Sequence, residues 1–128
     1  KVFEDVFSVI QDRKIHPKEG SYTNYLFDKG IDKILKKVGE EATEIVIAAK
    51  NPDPEEIKYE ISDFLYHVMV LMAERGVTWE DITEELANVR FAYKITDVGI
   101  KIAAMQLRYA STLFLRDKKP LIRQKNNL

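Results

Sequence analysis

The chain has 128 residues, 45% of them hydrophobic and 32% charged, no cysteine, and a formal net charge of -1. That balance predicts a compact globular domain and excludes a disordered chain, a disulfide framework and a thiolate metal site. The small net charge hides a break: residues 1–89 hold 11 basic and 19 acidic side chains, whereas residues 90–128 hold 9 and 2, so the chain reads as an acidic domain with a basic C-terminal extension.

The N-terminus lacks the charged-then-apolar layout of a signal peptide. No apolar run approaches the ~20 residues of a membrane span. A cytoplasmic protein without membrane contact is therefore expected. The first residue is Lys1 rather than Met, as in a fragment or one domain of a longer chain.

In chain order, Val2, Phe3, Val6, Phe7 and Ile10 repeat at threes and fours and predict an amphipathic helix over 2–14. Pro17 and Gly20 end it in a loop, the polar run Ser21-Tyr22-Thr23-Asn24 can cap the next segment, and Gly30 interrupts again. A long helical pattern runs from Ile31 to Lys50, with Ile34, Leu35, Val38, Ala42, Ile45 and Ala49 on one side, and Asn51-Pro52 stops it. Asp53 reads as an N-cap, with Pro54 at the first helical position and Glu56 closing a capping box. The next helix carries Ile57, Ile61, Phe64, Leu65, Val68, Leu71 and Met72, and Gly76 supplies a left-handed stop. Thr78 caps a further helix, with Glu80 and Asp81 in its first turn. Ile95, Val98, Ile102, Met105 and Leu113 allow one more helix, weakened by Gly99, and Arg116 to Leu128 reads as a loose tail. No segment alternates long enough to form a strand. The fold class is all-α: an antiparallel bundle of four to five helices.

Two acidic clusters stand out, Glu40-Glu41-x-x-Glu44 on the first long helix and Glu60-x-x-Asp63 on the second. With Val38 as reference, the apolar residues of the first fill an arc of about ±80°, with Glu41 inside it at about -60° and Glu44 at its edge at about -120°. With Ile61 as reference on the second, Glu60 sits at about -100°, His67 at about -120° and Asp63 furthest round at about -160°. Packing the two apolar faces draws at least Glu41 and Glu60 partly out of water, which is costly without a compensating cation. Four carboxylates from antiparallel helices make an all-oxygen site suited to magnesium or manganese and not to zinc. The competing reading of any single glutamate is a solvated helix face.

Lys33, Lys36 and Lys37 precede the first cluster. They read either as phosphate contacts or as a ladder of ion pairs, Lys36 with Glu40 and Lys37 with Glu41. His67, one turn beyond Asp63, is a packed and satisfied core residue or an orienter of that carboxylate. Ser21, Tyr22 and Thr23 are caps or a loop contacting ribose and phosphate. No glycine-rich phosphate loop or nucleophile elbow occurs.

The stretches SYTNYLFDKGIDKILKKVGEEATEIVIAAKN and YEISDFLYHVMVLMAERGVTWEDI resemble phosphoribosyl-ATP pyrophosphohydrolases, a family within the MazG-like all-α nucleotide pyrophosphohydrolases. The likeness covers roughly residues 2–89 and rests on KKxGEExxE with ExxD and LYH in register. It implies the second step of histidine biosynthesis, hydrolysis of 1-(5-phosphoribosyl)-ATP to 1-(5-phosphoribosyl)-AMP and pyrophosphate. It also implies metal ligation by Glu41, Glu44, Glu60 and Asp63, with Glu40 as an adjacent acid able to orient the attacking water, and phosphate binding by Lys33, Lys36 and Lys37. A homodimer is expected, fused to or working beside a phosphoribosyl-AMP cyclohydrolase. Residues 90–128 depart from the pattern and suit a packing or dimerisation helix, a contact for an anionic partner, or sequence of non-native origin.

Two rival readings compete with this one. In the first, the chain is a house-cleaning pyrophosphohydrolase of noncanonical nucleoside triphosphates using the same site. In the second, it is a helical module whose basic extension binds nucleic acid or a partner and whose acids are solvated. The second leaves the half-buried carboxylates unexplained, and nucleic acid is not the expected partner.

Overall fold

A computed structural model describes residues 1–95, with side chains to residue 89. Five helices succeed one another: α1 Val2–Ile15, α2 Tyr22–Lys29, α3 Ile31–Ala48, α4 Pro54–Arg75 and α5 Trp79–Ile95. The described residues contain no strand, so the chain is all-α as expected. The expectations for residues 96–128 lie outside the described residues. The chain divides into two units, Lys1–Ile82 and Thr83–Leu128.

The first unit is built on the pairing of α3 with α4. The short link over residues 49–53 leaves no room for anything but an antiparallel return. Helices α1 and α2 pack on one end of that pair. There Phe7, Ile10, Leu26, Ile34, Met69, Val70 and Met72 form the core, with Leu65, Tyr66 and Val68 partly buried against it. Ile10, Leu26, Ile34 and Val70 are almost wholly enclosed, each contributing about 1.5–3 kcal/mol by leaving water. Lys14 ties α1 to α4, its Nζ donating to the Ala73 carbonyl at 3.3 Å and pairing with Glu74 at 3.1 Å.

Helix ends obey local chemistry. The Ser21 hydroxyl accepts from the Asn24 amide and caps α2. Of the two readings left open for Ser21, Tyr22 and Thr23, cap or loop, the cap holds for Ser21, and Tyr22 and Thr23 form the first turn of α2. Gly30, at φ 84°, closes α2 and opens α3, a conformation that residues with a Cβ rarely adopt. The Gly76 stop is left-handed as expected, at φ 70° and ψ 30°.

The capping box forms at a different helix from the one expected. Asp53 does cap α4 by accepting from the Glu55 amide, but Glu56 turns to the Asn51 side-chain amide at 2.8 Å, and Asn51 Oδ1 takes the Asp53 amide. Asn51 thus occupies the place Glu56 would need. The reciprocal pair closes on α5 instead: Thr78 Oγ1 accepts from the Asp81 amide at 3.2 Å and Asp81 accepts from the Thr78 amide at 2.8 Å. These hydrogen bonds hold the Asp81 carboxyl below the usual aspartate range.

The apolar stripe of α3 is only partly used. Its buried line is Ile34, Glu41 and Ala48, seven residues apart and centred about 60° from Val38. Leu35, Val46 and Ile47 remain exposed, Val46 at 64%, as does Ile61 on α4. No described helix is long and apolar enough to cross a membrane.

Candidate active site

The buried line of α3 sets the site, because Glu41 stands in its middle at 6% exposure. On α4 the residues facing it are Glu60, Asp63 and His67, which with Glu56 repeat at spacings of four, three and four and so share one side of the helix. Ligand atoms of Glu41, Asp63 and His67 lie within 4.8 Å of one another. The half-buried Glu60 joins them: partial burial, then the charges of Glu44, Glu41, Asp63 and Glu56, push its carboxyl above the usual glutamate range. Glu41 and Asp63 thus lie together between α3 and α4, with Glu60 close enough to feel both and the exposed Glu44 adding its charge.

Asp63, which the helical wheel placed furthest from the apolar stripe, is brought into the group. Ile61 is exposed, whereas Asp63 has a carboxylate oxygen within 4.8 Å of one on Glu41, so the acidic line of α4 lies against α3 at this level. The signal was present in the spacing of Glu56, Glu60, Asp63 and His67, which the reference to Ile61 obscured.

One cation already answers part of this charge. Lys37 Nζ lies 2.8 Å from Glu41 and 3.2 Å from Glu40. The hydrogen bond to Glu41 leads the effects that hold Lys37 above the usual lysine range. Lys36 sits 3.7 Å from Glu40, so the expected ion-pair ladder forms. Glu40 is exposed on the lysine side of α3, and its carboxyl is lowered chiefly by the hydrogen bond from Lys37. It shares Lys37 with Glu41 and differs from Glu41 in being exposed.

His67 is 3% exposed and fully engaged. Its Nδ1 lies 2.9 Å from the Asp63 carbonyl oxygen and 3.6 Å from Asp63 Oδ1. A ring nitrogen facing a carbonyl carries the proton, which leaves Nε2 to accept from the Tyr22 hydroxyl at 3.2 Å. His67 is thus a satisfied core residue, and its hydrogen bond goes to the Asp63 carbonyl rather than to the carboxylate. Burial is the largest effect raising the Tyr22 hydroxyl, opposed by Lys37 and reinforced by Tyr66, Asp63 and Glu41, which puts that hydroxyl at the rim of the cluster.

Around it stands an aromatic group that the residue pattern alone did not single out. Tyr22 lies near-parallel to Tyr25 and Tyr66, with centroids at 5.9 and 6.3 Å. Thr23 Oγ1 meets the Tyr66 hydroxyl at 2.6 Å. Lys33 Nζ lies 6.0 Å from the Tyr25 ring centre. The three-residue step from Tyr22 to Tyr25 would have shown a shared face once α2 was recognised as a helix.

Residues 3–90 match the family model described as phosphoribosyl-ATP pyrophosphohydrolase. A histidine biosynthesis bifunctional protein HisIE of Thermoanaerobacter pseudethanolicus is 67% identical over 85 residues, which is 66% of this chain and 39% of that protein. A phosphoribosyl-ATP pyrophosphatase of Lactiplantibacillus plantarum is 60% identical over 85 residues, covering 66% of this chain and 80% of the relative. One from Clostridium botulinum is 57% identical over 89 residues, 70% and 81% of the two chains. The chain therefore spans well under half of the bifunctional relative and most of the two shorter ones.

Proposed function

As the chain belongs to the phosphoribosyl-ATP pyrophosphohydrolase family, we propose that its carboxylate cluster is the site at which phosphoribosyl-ATP is hydrolysed to phosphoribosyl-AMP and pyrophosphate in histidine biosynthesis. The oxygen–phosphorus link between the α and β phosphates breaks and one water is consumed. The observation that carries this reading is the approach of Glu41 to Asp63, with Glu60 lifted by partial burial and then by the charges of Glu44, Glu41 and Asp63.

Such a group fits a hard divalent cation. The donors are all oxygen, they come from two rigid helices, and their mutual repulsion is the charge a cation would remove. Glu41, Glu44, Glu60 and Asp63 would hold Mg²⁺ or Mn²⁺, which when bound supplies positive charge to phosphoryl oxygens and makes water easier to deprotonate. His67 braces Asp63, keeping its turn of α4 in place. Lys37, held by Glu41 and Glu40, and the exposed Lys36 present ammonium groups next to the acids, where they offset substrate phosphate charge. Water orientation falls to the acids of the cluster rather than to Glu40, which faces Lys36 and Lys37.

A homodimer completes this reading. The exposed Leu35, Val46 and Ile61 lie on the two helices that carry the ligands, and a second copy would cover that apolar surface.

Pyrophosphate release from phosphoribosyl-ATP, monitored with and without Mg²⁺ for wild type and Glu41→Gln, tests the reading. Magnesium-dependent release that falls at least about 100-fold in the mutant, with helical circular dichroism unchanged, supports it. A folded wild type that releases nothing refutes it.

A further inference from the structure

A groove of about 610 Å³ lies between the 17–20 turn and α2, bordered by Pro17, Glu19, Gly20, Tyr22, Tyr25 and Asp28. That volume is within the ~300–1,000 Å³ typical of small-molecule sites. Its walls are held in place. Asn24, 8% exposed, accepts from the Lys18 amide at 2.9 Å and donates to the Arg13 carbonyl at 2.6 Å, which fastens the turn to the end of α1. The Ser21 amide returns to the Lys18 carbonyl at 3.1 Å.

The groove meets the carboxylate cluster at Tyr22, whose hydroxyl bonds His67 while its ring borders the groove. Tyr22 and Tyr25 present two rings inclined by 21° to each other and left 47% and 41% exposed. Lys29 and Lys33 stand 5.9 and 6.0 Å from the Tyr25 ring centre. Flat aromatic faces take nucleobases by stacking, and ammonium groups take phosphate. The acids Glu19 and Asp28 on the border are poor neighbours for a triphosphate and good acceptors for ribose hydroxyls and base amino groups.

We infer that this ledge and groove are the nucleoside end of the substrate site: the Tyr22 and Tyr25 rings hold the adenine base, and Lys29 and Lys33 hold the phosphate on the phosphoribosyl arm. This rests on the reading of the carboxylate cluster as the pyrophosphohydrolase site. A substrate with its triphosphate at the acids must run outward past Tyr22, and the second phosphate then finds the cations beyond Tyr25. The arrangement favours a nucleotide with two phosphate-bearing ends over plain ATP.

Calorimetric titration of the whole chain with phosphoribosyl-AMP and with AMP, alongside steady-state turnover of phosphoribosyl-ATP, tests it. Tyr25→Ala is expected to weaken phosphoribosyl-AMP binding and raise KM by about tenfold, with kcat within about twofold because Tyr25 is not one of the residues proposed to hold the metal. Tyr25→Phe, which keeps the ring, should restore both. Lys33→Met should weaken phosphoribosyl-AMP and leave AMP unchanged. Tyr25→Leu keeps apolar bulk without a flat face and serves if the alanine variant unfolds. Unchanged affinity and KM in a folded Tyr25→Ala or Tyr25→Leu overturn the subsite while leaving the reaction standing. Tyr25-dependent binding of phosphoribosyl-AMP by a protein that releases no pyrophosphate would instead leave the subsite standing and remove the reaction.

Discussion

The two halves of α4 are opposites. Its C-terminal half is closed in on several sides by α1, α2 and α3, with Met69, Val70 and Met72 buried together. Its N-terminal half faces α3 with Glu60 and Asp63 and leaves Ile61 exposed. The first half satisfies itself with side chains of its own unit. The second carries Glu60, raised by burial and by its acidic neighbours, and an exposed Ile61. Apolar packing is concentrated at one end of α4 and acidic charge at the other, as expected where function tolerates local repulsion that packing elsewhere offsets.

That contrast can be broken or sharpened by measurement. Leu26→Ala, at the closed end, should lower unfolding free energy by about 2–5 kcal/mol in urea titrations. A loss below ~1 kcal/mol would mean that the closed end is not the stabilising one.

Saturating Mg²⁺, at about 100 times its dissociation constant, should stabilise the protein by about 2.7 kcal/mol. The effect should depend on pH in a defined direction. Glu60 is raised in the folded state, so the folded protein binds more protons there. Without metal, its contribution is least unfavourable below the ordinary glutamate range and turns against folding as pH rises through the folded value. The gain in Tm from Mg²⁺ should therefore be larger at pH 7 than at pH 4, and Glu60→Gln should flatten the metal-free difference. Equal gains at the two pH values would contradict the convergence.

Thr78→Ala removes the cap of α5 and should cost ~1 kcal/mol. Asp81 is lowered, so its contribution is present above the ordinary aspartate range and fades as pH falls below it. A thermal unfolding series from pH 7 to pH 3 on wild type and Thr78→Ala should show the two converging at the acid end.

Val46→Glu, on exposed surface, should change monomer stability by less than ~0.5 kcal/mol. In sedimentation it should shift the protein toward monomer, and a dimer that survives it would place the interface elsewhere.

Much of this was legible in the chain because helix ends are local. Asp53-Pro54, Gly76 and Thr78 mark their boundaries by caps and a left-handed turn that need no tertiary contact. Glu41 was legible because a carboxylate inside an apolar stripe is unusual wherever the helix packs. Asp63 was legible in the Glu60-x-x-Asp63 spacing but least secure on the wheel, which shows which side is apolar but not which side meets the neighbouring helix. Leaving Ile61 exposed and turning the acids inward is a tertiary outcome that no propensity foretells. Helix α2 escaped for another reason: at eight residues it is too short for its period to stand out, and its polar first turn read equally well as a loop. The ladder of Lys36 and Lys37 with Glu40 and Glu41 was visible in the spacing, yet only the buried Glu41 end decides how firmly Lys37 is held.

The convergence of Glu41, Glu44, Glu60 and Asp63 as a cation site is the central claim. Titrating Mn²⁺ into the protein while monitoring free Mn²⁺ by electron paramagnetic resonance measures it directly. A saturable site that is lost or greatly weakened in Glu41→Gln, Glu60→Gln and Asp63→Asn, and competed away by Mg²⁺, is the predicted result. Binding that is absent from wild type, or identical in all three variants, would contradict it.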